Sequence, residues 1–345
     1  MVDIFAELAY APSRTIQLQD REYIFFGGTS YLGIGANAEF REYCFEGAKR
    51  YGFSNGTSRS NNVQLRIYGE AESEAAKRFA AESALLSSSG FLVAQLAVRY
   101  FSDFGEIIYG PNTHPALWLG AKPQVGLSFD DWVKQTVKYI NASNKKRFLI
   151  VNDSLDNLRP QLFDFTSFSN IDESKEIILL IDDSHGIGIT HKGRGIYMSL
   201  PTGPHIQRVV VASLAKAMGI DAGVVLADEK IISQLKTSAV FLAASPPSPA
   251  LLYAFLKSES VYKRNRERLE SNMLFFEASK PTGLYYATGF PVYATENPEL
   301  YAKLLKKGIV ISSFHYPSAT DPLMNRVVIN SLHTEEDLSY LLACL

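Results

Sequence analysis

Three short segments of this 345-residue chain carry side chains that could do chemistry, and each follows a run suited to buried structure. Ile181-Asp182-Asp183-Ser184-His185-Gly186 sets two carboxylates and an imidazole behind an apolar stretch. A carboxylate that ends a buried strand loses its hydration unless it meets a cation or several donors. Read alone, the same Asp-Asp-Ser is better taken as a turn or a helix cap. Ser213-Leu214-Ala215-Lys216-Ala217-Met218-Gly219 follows Val209-Val210-Val211. A lone lysine after a strand is usually solvated, but small and apolar neighbours, with Gly219 and Gly223 close behind, would lower the amine pKa and admit a flat ligand. Ser89-Gly90-Phe91 opens a helix, where free amides and the helix dipole favour an anion such as phosphate; its plain alternative is an N-cap. Together the three describe a site for pyridoxal 5′-phosphate. The Lys216 amine would form a Schiff base, the Asp182 carboxylate would keep the pyridine nitrogen protonated, and the helix start would hold the phosphate.

Those residues need a scaffold that lines up strand ends. Tyr23–Phe26 reads as a strand ending at Gly27-Gly28, and helical spacing runs over residues 37–51, 70–81 and 90–100. Apolar runs at 106–109, 147–152, 176–182, 207–212 and 222–227 alternate with amphipathic stretches such as 131–140 and 161–170. Continuous apolar runs separated by helices predict an α/β fold with a mostly parallel sheet, and open α/β sheets place ligands at their strands' C-terminal ends. Pro246-Pro247 and Pro249 interrupt the pattern, a charged helix runs from about 250 to 279, and short strands at 284–287, 309–312 and 326–329 mix with helices. The expected organisation is an N-terminal segment (1–35), a large cofactor-binding α/β domain (36–248) and a small C-terminal α+β domain (249–345).

Other chemistries are not written in the chain. There is no GxxxxGK[ST] loop; Gly186-Ile187-Gly188 has His191 where a dinucleotide fingerprint needs its third glycine. Gly28-Thr29-Ser30-Tyr31-Leu32 lacks the last glycine of a hydrolase elbow. No HExxH occurs, and Cys44 and Cys344 are the only cysteines, so neither a metal centre nor a disulfide framework is expected. Thirty-four basic against 36 acidic residues leave a net charge of −2, with no broad basic field for a nucleic acid or a membrane surface. With 46% hydrophobic residues, no apolar run long enough to span a bilayer and no basic signal region, the expected setting is soluble and cytoplasmic.

The ordered set of motifs resembles the α-oxoamine synthases, fold-type I pyridoxal phosphate enzymes that condense an amino acid with an acyl-CoA. It runs from about Arg14 to Leu345 through Ser30-Tyr31-Leu32-Gly33, Ser58-Arg59, Ala84-Leu85-Leu86, Ser89-Gly90-Phe91 and Asn112-Thr113-His114. It continues through Asp182-Asp183-Ser184-His185, Gly193-Arg194-Gly195, Ser213 to Lys216, and Arg326 with Ser331-Leu332-His333-Thr334. The resemblance implies that Lys216 carries the cofactor and shuttles the Cα proton, and that Asp182 pairs with the pyridinium. It also implies that His185 bonds the phenolic oxygen and that His114 stacks on the ring, where the residue by itself reads better as a packed core histidine beside Pro115 and Trp118. Ser213 would join the Gly90 and Phe91 amides at the phosphate. Arg326 falls where the family binds the substrate carboxylate, although a surface arginine at a strand start is an equal reading.

The same comparison exposes departures around the substrate. Thr29 stands for the family's carboxylate-holding Asn, Ser60-Asn61-Asn62-Val63 replaces a glycine-rich stretch, and Tyr68 replaces a His. Asp153-Ser154-Leu155-Asp156-Asn157-Leu158-Arg159-Pro160 replaces a Glu-Gly-x-Phe-Ser-Met-Asp-Gly segment, and Ala243, with Ser245 nearby, occupies the position of a phosphate-binding hydroxyl from a neighbouring subunit. Most of the family's N-terminal helix is also not evident. The expected protein is a homodimer with its active site at the interface, acting on an amino acid and an acyl thioester carried by CoA or an acyl carrier protein. An aminotransferase or lyase on the same scaffold, and a catalytically degenerate subunit, are the alternatives.

Overall fold

The computed structural model describes residues 5–279, 281–316, 321 and 323–345. The chain begins with an antiparallel pair, β1 (Thr15–Leu18) and β2 (Arg21–Phe26), followed by α1 (Ala38–Tyr51) and α2 (Ile67–Arg78). Next come β3 (Ser83–Ser87), α3 (Gly90–Tyr100), β4 (Glu106–Tyr109), α4 (Phe129–Ala142) and β5 (Arg147–Asp153). A small hairpin of β6 (Leu155–Asp156) and β7 (Gln161–Leu162) precedes β8 (Glu176–Asp182), β9 (Ile206–Ser213), β10 (Gly223–Ala227) and α5 (Glu229–Lys236).

The central sheet has the order β3-β10-β9-β8-β5-β4. Strands β9, β8, β5 and β4 are parallel neighbours, whereas β10 runs antiparallel to both β9 and β3. Side chains alternate across a strand, and here both faces are buried. Phe148, Ile150, Leu179, Ile181 and Val210 pack on one side with α2 and α4, while Leu149, Val151, Leu180, Val209 and Val211 pack on the other with α3 and α5. This is why the strands read as unbroken apolar runs. It is the mostly parallel α/β architecture expected.

The remaining elements are α6 (Ala239–Ala243), α7 (Pro249–Lys257), α8 (Glu259–Ala278), β11 (Tyr285–Tyr286), β12 (Val292–Thr295), α9 (Leu300–Lys306), β13 (Ile309–His315), β14 (Leu323–Val328) and α10 (Glu335–Cys344). They build a second sheet, β1-β2-β13-β14-β12-β11, which the N-terminal strands complete through the parallel β2–β13 pairing. α10 starts on a capping box between Thr334 and Asp337, an arrangement worth about 1 kcal/mol.

Three expectations change. Residues 161–170 do not form a helix: Gln161-Leu162 pairs back on residues 155–156, and only a short 3-10 turn spans Thr166–Asn170. Phe163, Phe165 and Phe168 are buried against Phe129 and Trp132, with Phe163 stacked on Phe129 at 4.0 Å, a spacing that suits an irregular aromatic cluster rather than one helical face. The single helix expected at 250–279 is two, broken at buried Ser258, whose backbone leaves the helical region (φ −99°, ψ 24°). β3, whose Ala84-Leu85-Leu86 was legible only as a motif, is a full strand of the central sheet.

Candidate active site

Polar residues cap the parallel strands. Asp153 ends β5 and Asp182 ends β8, and the two are register partners; Ser213 ends β9 on the next strand. Asp182 is buried, and its Oδ1 accepts the Ser184 amide at 2.8 Å. Burial drives the Asp153 carboxyl well above the usual range, the like charge of Asp182 adds to this, and the His114 amide bonded to its Oδ2 at 2.8 Å opposes it. Asp153 and Asp182 thus form a carboxylate pair at the ends of two neighbouring strands.

Lys216 lies in the loop between β9 and β10, which is held by the Leu214 amide donating to Ala222 O at 2.8 Å. Burial lowers its pKa, while Asp182 and Asp153 pull the other way. No hydrogen bond or salt bridge ties its amine to another described residue. A half-buried amine without an acceptor is what a ligand's carbonyl carbon and oxygen would engage.

His114 sits after β4 and is exposed in the chain as a whole. The Ala116 amide donates to its Nδ1 at 3.1 Å and fixes the ring. Desolvation lowers its pKa; Asp182 opposes the shift and Lys216 reinforces it. An unprotonated ring held in place beside the carboxylates suits stacking on a flat partner.

The start of α3 closes the row. The Ser89 hydroxyl is its N-cap and accepts the Leu92 amide at 3.2 Å, leaving the Gly90 and Phe91 amides among the first-turn donors that a helix cannot satisfy internally. A Cβ on Gly90 would lie 2.4 Å from Ser213 Cβ, and one on Gly223 would lie 2.1 Å from the Ser89 carbonyl oxygen. The two glycines thus let the helix start and the β9 and β10 ends meet backbone to backbone, with the Ser213 hydroxyl beside free amides.

A second group assembles opposite. His185 has Tyr31 Oη at 2.8 Å from Nδ1 and Asn157 Nδ2 at 2.7 Å from Nε2. Burial pushes its pKa far down, and Lys216, Arg326 and His114 push it the same way, so it is neutral. Arg326 is 5% exposed on β14; Nη1 donates to the Asn157 carbonyl at 2.9 Å, the guanidinium lies 4.8 Å from the Phe314 ring centre, and Nε is buried without a partner. A buried cation with an unused donor favours an anion. Thr29 is on the turn before Tyr31, whose amide donates to its carbonyl at 2.9 Å, and no described residue bonds the Thr29 hydroxyl. Ala243 and Ser245 lie exposed at the end of α6 and just beyond.

Four residues here lack a sequence-derived role. Asp153 and Asn157 were legible only as departures, and Tyr31 only as a motif. Tyr316 gave no signal, yet burial and the Asp153 and Asp182 charges push its phenol up to about 12 against the Arg326 guanidinium, which lowers it. The late motif residues have a positioning task. Ser331 Oγ and Asn265 Nδ2 both donate to the Leu32 carbonyl, at 2.8 and 2.7 Å, and the Ser331 amide donates to the Tyr31 carbonyl at 3.0 Å, clamping the turn that aims Tyr31.

This row of strand-end residues on an α/β sheet is what an aminotransferase-type fold provides. The profile for "Aminotransferase class I and II" matches residues 125–345, and the chain belongs to that family. Among similar proteins, an 8-amino-7-oxononanoate synthase of Petrotoga mobilis is 23% identical over 97% of this chain and 91% of its own. A serine palmitoyltransferase of Bacteroides thetaiotaomicron is 22% identical over 97% and 89%. In solved structures, a Sphingomonas wittichii serine palmitoyltransferase superposes with a TM-score of 0.83 at 16% identity, covering 99% of this chain and 91% of that one. An 8-amino-7-oxononanoate synthase from Francisella tularensis gives 0.69 at 22%, covering 93% and 96%. Both names belong to α-oxoamine synthases, the family the motifs resemble, and the fold is fold-type I. The family brings with it the expected enzyme class and cofactor, pyridoxal 5′-phosphate. The residues fit that group: an unbonded amine, a strand-end carboxylate, an exposed and fixed imidazole, and free amides beside a hydroxyl where glycine alone permits the approach. Among the described residues no helix is long and apolar enough to cross a membrane.

Proposed function

We propose that this protein is a pyridoxal phosphate-dependent acyltransferase that condenses a small amino acid with an acyl thioester to an α-oxoamine, in the manner of the 8-amino-7-oxononanoate synthases. The observation that carries the reading is one sheet edge holding an unbonded Lys216 amine and the Asp153–Asp182 pair, with the unused Arg326 donor opposite. The cofactor, when bound, supplies an electron sink for charge at the substrate Cα. Lys216 would hold it through its amine and would take and return the Cα proton of the bound amino acid, a role its lowered pKa favours. Asp182 keeps the ring nitrogen protonated, His114 covers one ring face, and Ser213 with the Gly90 and Phe91 amides holds the phosphate. Arg326 orients the amino acid through its carboxylate, in which Thr29 would assist.

Exposed His114 and Phe91 favour a homodimer whose second chain closes the site; a cytoplasmic setting goes with this reading. The test incubates purified protein with pyridoxal phosphate, single amino acids and acyl-CoAs of graded chain length, recording free thiol and CO2. Thiol release that needs both substrates supports the reading. Amino transfer to a keto acid without thioester replaces it with the aminotransferase. Silence toward every amino acid replaces it with a subunit whose substrate side, rebuilt at residues 153–160, has lost synthase activity.

A further inference from the structure

We propose that Asn157 is a positioning residue that decides which ring nitrogen of His185 carries its proton, and that it ties this choice to the anion seat at Arg326. The inference rests on the reading that Arg326 receives the substrate carboxylate, and it uses a residue from the stretch where the chain departs most from the α-oxoamine synthase pattern.

A neutral imidazole has one N–H donor and one bare nitrogen. The Asn157 Nδ2 group can only donate, and it lies 2.7 Å from His185 Nε2. Nε2 is therefore the bare nitrogen, the proton is on Nδ1, and Nδ1–H donates to Tyr31 Oη at 2.8 Å. The Tyr31 hydroxyl, relieved of donating to the imidazole, keeps its own proton for the site. An isolated neutral histidine would choose between its two tautomers freely; here the amide chooses.

Asn157 is itself held hard. Asp156 Oδ1 accepts the Leu158 and Arg159 amides at 2.8 and 3.0 Å, and Asp156 Oδ2 accepts Asn112 Nδ2 at 3.2 Å. The turn around it is pinned, so the direction of its side chain is set. The Asn157 carbonyl meanwhile accepts Arg326 Nη1 at 2.9 Å, while Arg326 Nε stays buried and unused. One residue thus touches the guanidinium through its backbone and the imidazole through its side chain. A carboxylate drawn to the free Arg326 donor shifts the guanidinium, the Asn157 peptide it holds, and through the amide the ring of His185.

Nitrogen NMR of the full chain labelled with 15N-histidine, before pyridoxal phosphate is added, reads the tautomer directly. Wild type should show His185 Nε2 as the bare nitrogen and Nδ1 as protonated. Asn157→Asp, which can only accept, should reverse the two, and Asn157→Ser, whose hydroxyl can donate, should restore the wild-type pattern in part. Acetate, used as the carboxylate alone, should shift the His185 signals in wild type but not in Arg326→Ala or Asn157→Ala. In the loaded enzyme Asn157→Ala should raise KM for the amino acid about 5- to 10-fold with little change in kcat, the size of one hydrogen bond. A protonated Nε2 in wild type, or an unchanged tautomer in Asn157→Asp, overturns the proposal. Should Asn157→Ala fail to fold, the Asp and Ser variants decide it alone. The tautomer is read without turnover, so a protein that proves not to condense thioesters would fail the proposed function and leave this result standing.

Discussion

The two sides of the site are built differently. On the proposed cofactor side, Asp182 and Ser213 are the last residues of buried strands, and Lys216 and the start of α3 each lie a few residues beyond a strand end of the same sheet. On the substrate side, Tyr31, Asn157, Arg326 and Tyr316 come from four remote stretches, the turn after β2, the β6–β7 hairpin, β14 and the exit of β13. Their positions depend on side-chain bonds such as Arg326 to Asn157 and Tyr31 to His185. A sheet edge fixes its residues through backbone register. The opposite wall must be tied together by contacts that one substitution can redirect, which is why the departures from the family pattern gather there.

That contrast yields a graded set of outcomes. Lys216→Ala should abolish stable cofactor retention and lower turnover by at least roughly 10²–10⁴-fold, the usual weight of a positioned acid–base group, with circular dichroism unchanged. Arg326→Ala should raise KM for the amino acid by roughly 10- to 100-fold, as expected for lost charge-assisted hydrogen bonds, while cofactor affinity measured by absorption titration stays level. A matching fall in cofactor affinity would break the division between the two sides.

Gly90→Ala should show the mirror image. Its new Cβ would meet the Ser213 backbone side at 2.4 Å, so cofactor affinity should fall severalfold while KM for the amino acid, taken at saturating cofactor, holds. Equal effects on both constants would show that the phosphate seat and the carboxylate seat move together.

The smallest effect concerns Asp183, which has no proposed role on either side. It is fully buried, accepts the Ile196 amide at 2.8 Å, and has its pKa pushed up by burial from 3.8 to about 7. The unfolded carboxyl ionises first as pH rises, so this group's contribution to stability is whole below about 4, declines up to about 7 and is then level. Asp183→Asn keeps the acceptor and should flatten that decline in urea midpoints taken across the window, without altering KM. A wild-type curve already flat there would contradict the assignment.

What the sequence made legible follows the same line. The strand at 176–182 and the helix at 90–100 are readable to the residue because burial on both sheet faces forces a continuous apolar run in the one and Ser89 caps the other. Lys216 and Asp182 were findable since each directly follows such a run. Tyr316 was not, because its place beside Asp153 and Asp182 comes from the pairing of β13 with β14 and leaves no local pattern. Asn157 looked like mere divergence, since its value lies in a bond to a histidine 28 residues away. Residues 161–170 are not a helix because Phe163, Phe165 and Phe168 are recruited by Phe129 and Trp132, contacts that no local pattern announces.

The central claim is that Lys216, at this sheet edge, is the residue that holds the cofactor. The most direct measurement loads the full chain with pyridoxal phosphate, reduces it with borohydride, and maps the added mass by peptide sequencing. The account predicts stoichiometric label on Lys216 and none in Lys216→Ala. Label on another lysine, or a wild-type chain that takes up none, would contradict it.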